Sequence, residues 1–396
     1  MFRFAAPPPL SLYIHIPWCV RKCPYCDFNS HEVRDGIPES AYLAALTGDL
    51  EQELPRVWGR TVDSVFIGGG TPSLFSPAAI DGLLTAVRAR LPLKPDAEIT
   101  LEANPGTVDR EHFAGFREAG INRLSIGIQS FRPDALQAIG RIHSGREADA
   151  AIDAAQRAGF DNINLDLMFG LPGQDVQQAL ADLQTAIDRE PAHISWYELT
   201  IEPNTWFYRH PPARPDDDAL WEIQQAGQAL LSGHGYTRYE ISAWSRPGCH
   251  CRHNMNYWLF GDYLGIGAGA HGKITDAAAG TIHRTTKTRH PRAYIETCQG
   301  GGPAGSRHRL GADDALLEFV MNALRLDTGF ATTRFTERTG LPADLLDPPV
   351  TQAVSADLLE QVDGHIRCTG RGRRYLNELL QIFMTEKRDD AVNIQT

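Results

Sequence analysis

Short apolar runs rich in branched residues recur along the first half of the chain, with helix-length segments between them. This alternation restricts the fold more than any other feature. The runs are SLYIHI (11–16), VDSVFIGG (62–69), EITLEA (98–103), NRLSIGI (122–128), NINLDLMFG (162–170) and HISWYELT (193–200). Near-continuous apolar runs of this length are the mark of parallel strands buried on both faces. Between them the apolar spacing predicts helices over 39–54, 77–91, 109–119, 146–158 and 175–189. Right-handed βα repetition leaves two common outcomes, an open doubly wound sheet or a closed or partly closed barrel. In either, ligands gather at the C-terminal ends of the strands. Those ends carry Cys19, GGGTP, EANP, IQSF, DLMFGLPG and EPNT.

A further helix is expected over 216–232, then a stretch rich in Gly, aromatic residues and His up to His271. Residues 275–308, with their GGGPAGS run, read as linker and loops. From about residue 310 the pattern predicts a helix over 312–326, a short helix over 332–339 and a helix over 350–363. A strand and turn over 365–373 and a last helix over 374–384 complete a winged-helix-like α+β domain. The expected organisation is a core domain over 1–240, a connecting segment over 241–309 and a C-terminal domain over 310–396.

Hydrophobic residues at 42% and charged residues at 22% are ordinary globular usage. A net charge of -11 speaks against broad binding to nucleic acid, which needs a surplus of Lys and Arg. The basic run Arg371, Arg373, Arg374 is too local to change that. No stretch reaches the roughly 20 apolar residues of a membrane span, so the expected location is the cytoplasm.

Of the seven cysteines, Cys19, Cys23 and Cys26 form CxxxCxxC directly after the first strand, where Pro17 and Pro24 favour a loop. An odd, clustered set suits metal binding in a reducing compartment better than disulfides. Structural zinc would need a distant fourth ligand. Three thiolates on an iron-sulfur cubane leave one iron free to bind something else.

CxxxCxxC at the end of a first strand, followed by the glycine loop Gly68, Gly69, Gly70 and Thr71, resembles the radical S-adenosylmethionine superfamily. The resemblance implies a partial (βα)6 TIM-type barrel with a 4Fe-4S cluster on Cys19, Cys23 and Cys26. It also implies S-adenosylmethionine bound to the open iron and reductive cleavage to a deoxyadenosyl radical. Cofactor contacts then fall to Tyr13, Gly69, Gly70, Thr71, Glu102, Gln129, Arg141 and Asp166. An acid for ribose hydroxyls, an Arg for a carboxylate and an amide for a polar edge are the groups such a ligand needs.

LYIHIPWC, CPYCDFNSH, IGIQSF, GRIH, NLDLMFGLPGQ, YELTIEPNT and the RHNMNYW and YLGIGAGAHG segments extend the resemblance over nearly the whole chain. They are similar to the family that joins oxygen-independent coproporphyrinogen III dehydrogenase to its haem-chaperone relatives. The dehydrogenase carries a further Cys two positions after the third, where this chain has Phe28, and an extension ahead of the first strand. Both departures, with the HNMNYW block at 253–258, favour the chaperone branch over radical decarboxylation of propionates. The resemblance then implies binding of haem, delivery to an acceptor protein and peripheral contact with membrane haem proteins. His253 is the first candidate for an axial haem ligand, ahead of His250, His271, Cys249 and Cys251.

Overall fold

The computed structural model describes residues 2–384; residues 385–396, the end of the expected C-terminal domain, lie outside the described part. Six parallel strands stand in sequential order: Leu10–Ile16, Val62–Gly69, Leu93–Ala103, Arg123–Gln129, Ile163–Phe169 and His193–Glu198. The first is buried on both faces except at Tyr13, as its apolar run requires.

Helices Glu39–Glu53, Pro77–Arg88, Arg110–Ala119, Gly145–Arg157 and Val176–Asp188 lie between successive strands. They bury one stripe each, for example Ile80, Leu83, Leu84 and Val87. Their starts are fixed locally. Ser144 with Glu147 and Asp175 with Gln178 form reciprocal capping boxes. The two ends of the sheet do not pair, so the barrel is partial.

The sheet does not stop at six strands. Residues 275–308, expected as linker and loops, instead carry strands that help widen it to twelve, with the helix Pro291–Gln299 between two of them. Asp262–Ile266 pairs parallel with the outer edge of the first strand. His271–Asp276, Thr281–Lys287 and Gly305–Arg309 follow antiparallel. On the opposite edge, Ala243–Ser245 and Thr237–Glu240 add two antiparallel strands.

Buried charges tie this extension to the barrel. Lys287 Nζ lies 2.5 Å from Asp49 and 2.7 Å from Glu53 on the first helix. Tyr294 donates to the same Asp49 at 2.8 Å. Lys273 meets the fully buried Asp262 at 2.9 Å, and Arg60 meets it at 2.8 Å.

The C-terminal unit packs helices around Phe319, Phe330, Phe335 and Val350 with a three-stranded sheet. Arg238 to Asp327 at 2.8 Å and Arg325 to Glu240 at 3.0 Å join it to the barrel edge. The helix expected over 350–363 is shorter: it runs Asp347–Ser355 and gives way to a hairpin of Leu359–Val362 and His365–Cys368. Asp357 ends it in the left-handed region at φ 57°. Asp363 and Gly364, both at positive φ, make the two-residue turn that an Asp-Gly pair favours. The last helix among the described residues is Leu376–Ile382, preceded by the short helix Gly370–Arg374.

Candidate functional site

Two adjoining cavities open at the C-terminal ends of the barrel strands. The first, of about 330 Å³, is lined by Cys19, Cys23 and Cys26 together with Gly69, Gly70, Thr71, Glu102, Gln129, Arg141 and Asp166. All the expected cluster and cofactor residues except Tyr13 therefore meet in one space.

The cysteine loop is closed by a two-residue parallel pairing, Trp18–Cys19 with His31–Glu32. Among the described residues no three His, Cys, Asp or Glu side chains close on a single-ion site, so the thiols ring a space and not a point. Thr71 donates its hydroxyl to Cys19 Sγ at 3.5 Å, and Arg141 Nη1 donates to Cys23 Sγ at 3.7 Å. Burial raises the Cys19 and Cys26 thiol pKa values.

The glycines serve a tighter purpose than close approach of amides to a ligand. A Cβ on Gly70 would stand 2.5 Å from the Trp18 carbonyl oxygen. One on Gly69, which has φ 120°, would stand 2.7 Å from the His15 ring. The amides are already used: Gly69 N–H donates to Glu102 at 3.0 Å, Gly70 N–H to Ile16 O and Thr71 N–H to Trp18 O, both at 2.7 Å. What this loop has left for a ligand is carbonyl oxygen, which suits an ammonium donor.

Gln129 sits at φ 67°, a left-handed conformation costly for a non-glycine residue, where the fourth strand slips register against the fifth. The irregularity brings its amide to the cavity, where Oε1 accepts from Tyr197 at 2.7 Å. Arg141 Nη2 donates to Gly127 O at 2.5 Å, while its Nε is buried with no partner.

Asp166 accepts from Ser125 at 2.9 Å and Asn164 at 2.8 Å. Burial raises its pKa. Glu102 is pushed up to about 8, first by burial and then by the Asp166 charge. Both effects favour its protonated form.

These residues fit an iron-sulfur cluster with S-adenosylmethionine beside it. Three soft donors share a wall, Arg141 lines the same space with one guanidinium nitrogen buried and unpaired, and the glycine cradle leaves no room for a Cβ.

The second cavity, of about 470 Å³, shares Phe28, Gly69 and Glu102 with the first. Tyr13 belongs here, with its hydroxyl 2.9 Å from His15 Nδ1. Tyr257, Tyr263, His271 and Arg289 complete much of the wall.

His253, the first candidate haem ligand, lines neither cavity. It is 1% exposed and stacks on Phe66 at 5.0 Å. Both ring nitrogens are engaged, Nδ1 with Ser64 at 3.1 Å and Nε2 with Tyr257 at 3.0 Å. Burial, then the nearby Arg123 charge, lowers its pKa to about 3. Cys251 is buried against Glu98, the Cys249 thiol donates to Pro247 O, and His250 stacks on Tyr239; none lines either cavity.

Sequence reasoning passed over Tyr197, Arg289 and the buried Arg123 with His193. Arg123 could have been noticed as a charged residue opening an otherwise apolar strand.

Partial barrel, thiol-lined cavity and C-terminal unit together define a radical SAM protein. Residues 13–186 match the Radical SAM superfamily and residues 310–375 match the HemN C-terminal domain. The fold is shared with a solved structure from Escherichia coli described as coproporphyrinogen III oxidase (HemN), a radical SAM enzyme. The TM-score is 0.82 at 24% identity, over 96% of this chain and 91% of that one.

Within the superfamily, the chain belongs to the family of the heme chaperone HemW. It is 50% identical to the protein of that name from Escherichia coli K12, over 96% of this chain and 99% of the relative. Identity to the Haemophilus influenzae relative of the same name is 48%, with the same coverage.

Proposed function

We propose that this protein binds haem and passes it to an acceptor protein, and that it carries a 4Fe-4S cluster with S-adenosylmethionine. The observation that carries the reading is the 50% identity, running end to end, to a protein named for haem chaperoning. The second cavity supports it, since a volume of about 470 Å³ with an aromatic and cationic lining falls in the range of small-molecule sites.

Cys19, Cys23 and Cys26 would hold the cluster. Glu102, Gln129, Arg141 and Asp166, with the glycine-loop carbonyls, would hold the cofactor. Held by these residues, such a cluster would supply reducing chemistry beside the cofactor. Burial and the Asp166 charge favour the protonated form of Glu102, which can donate a hydrogen bond where a carboxylate only accepts. The cytoplasm is the proposed location; among the described residues no helix is long and apolar enough to cross a membrane.

Oxidative decarboxylation of coproporphyrinogen III is disfavoured by Phe28, which stands 60% exposed between the two cavities where the dehydrogenase has a cysteine. The test is transfer. Haem-loaded protein mixed with an excess of an apo haem protein should lose its Soret band as the acceptor gains one. Haem that never binds, or never leaves in the presence of acceptors that take up free haem, would overturn the reading.

A further inference from the structure

Haem needs an axial ligand with a free lone pair, apolar walls for the porphyrin faces and a cation for the propionates. Two imidazoles line the cavity behind Phe28. His15 has both ring nitrogens engaged, Nδ1 with Tyr13 at 2.9 Å and Nε2 with the Asn29 carbonyl at 2.9 Å. His271 has only Nδ1 engaged, 3.3 Å from Thr286 Oγ1 on the paired strand, and among the described residues its Nε2 has no hydrogen-bond partner. Iron-bound imidazoles commonly anchor the far nitrogen on an oxygen in this way, which fixes the tautomer and aims the near one.

The glycine-rich segment 265–272 sets this geometry. A Cβ on Gly265 would lie 1.8 Å from the His271 carbonyl oxygen, so only glycine lets the two strands come together there. Gly267 and Gly269, at φ 103° and 81°, turn the chain between them.

The other requirements are met around it. Phe28, Tyr257 and Tyr263 offer ring surface. Arg289 is the cavity's one Arg or Lys and forms no ion pair among the described residues, while Asp27 and Glu102 are the cavity's carboxyl groups.

We propose that haem occupies this second cavity with His271 Nε2 as an axial ligand, Thr286 as the residue that positions that imidazole, and Arg289 on a propionate. The proposal rests on the haem-binding reading above and names the site for it. The two cavities share Phe28, Gly69 and Glu102 while the three cysteines line the first alone, so cargo and cluster sit side by side with Phe28 between them.

The test uses the purified full chain, ferric haem as the probe, and low-temperature electron paramagnetic resonance with resonance Raman to read the ligand. His271→Ala should lose the imidazole-ligated signature and bind haem more than tenfold more weakly, and added imidazole should restore the signature. Thr286→Val should keep the signature yet weaken binding about tenfold, the usual effect of removing a ligand's supporting oxygen. Arg289→Ala should weaken binding with the ligation spectrum unchanged. His271→Gln serves as a second replacement, and an intact cluster band after reconstitution certifies that each variant is folded. Wild-type spectrum and affinity in both His271 variants would overturn this assignment while leaving haem binding in place. A wild-type protein that takes up no haem would instead remove the reading on which it rests.

Discussion

Replacing His253 by Gln separates a structural imidazole from a haem ligand. In the fold the ring is buried, stacked on Phe66, and joined at 3.1 Å to Ser64 and at 3.0 Å to Tyr257. Removing it leaves the buried Tyr257 hydroxyl short of a partner, at about 1–3 kcal/mol if it stays unsatisfied, while Ser64 keeps Ser11 at 2.8 Å. Gln restores one bond at most and loses the ring stacking, so a loss of about 1–3 kcal/mol is expected at pH 7.

The second signature is its pH dependence. The folded-state pKa, at about 3, lies below the ordinary 6.5, so the unfolded chain takes up a proton that the folded chain refuses. Stability from the neutral ring is present above 6.5 and drains as pH falls toward 3. Integrated from pH 7 to pH 5, one such group removes about 2 kcal/mol. The wild-type protein should therefore lose about 2 kcal/mol more over this interval than His253→Gln does, read by urea unfolding of the cluster-free chain. Haem ligation in the variant should match wild type. Unchanged stability combined with loss of haem ligation would refute the packing described here.

Ala at Cys19, Cys23 or Cys26 should abolish the reconstituted cluster's absorption near about 400 nm. Ala at Cys298 or Cys368, which line neither cavity, should leave it intact. Gly69→Val should weaken S-adenosylmethionine binding by calorimetry at least about tenfold, because φ 120° and the His15 ring leave a branched side chain no place. Lys287→Met should cost about 3–5 kcal/mol by leaving Asp49 and Glu53 buried without their cation, seen as a lower melting temperature.

The barrel was legible because its strands are apolar on both faces and its helices carry their own caps, so each element announces itself locally. The extension was not. Gly305–Arg309 is exposed throughout, and Lys273 and Lys287 put charges into strands that read as loops. Their partners, Asp262 for one and Asp49 with Glu53 for the other, are buried beside them only in the fold.

The cluster loop was legible from spacing, since its three thiols lie within eight residues. The burial of His253 was not legible, for a different reason. Its surroundings come from Ser64 and Phe66 on the second strand, far away in sequence, and they take it into the interior. His271 was visible only as one imidazole among several until the strand pairing placed Thr286 behind it.

The most direct test of the central claim gives one anaerobic preparation, with cluster reduced and S-adenosylmethionine supplied, both haem and coproporphyrinogen III in parallel. Haem uptake with a shifted Soret band, and no carbon dioxide released from coproporphyrinogen III, is the predicted result. Protoporphyrinogen formed at catalytic turnover would contradict it and would make Phe28 a tolerated replacement in a decarboxylase.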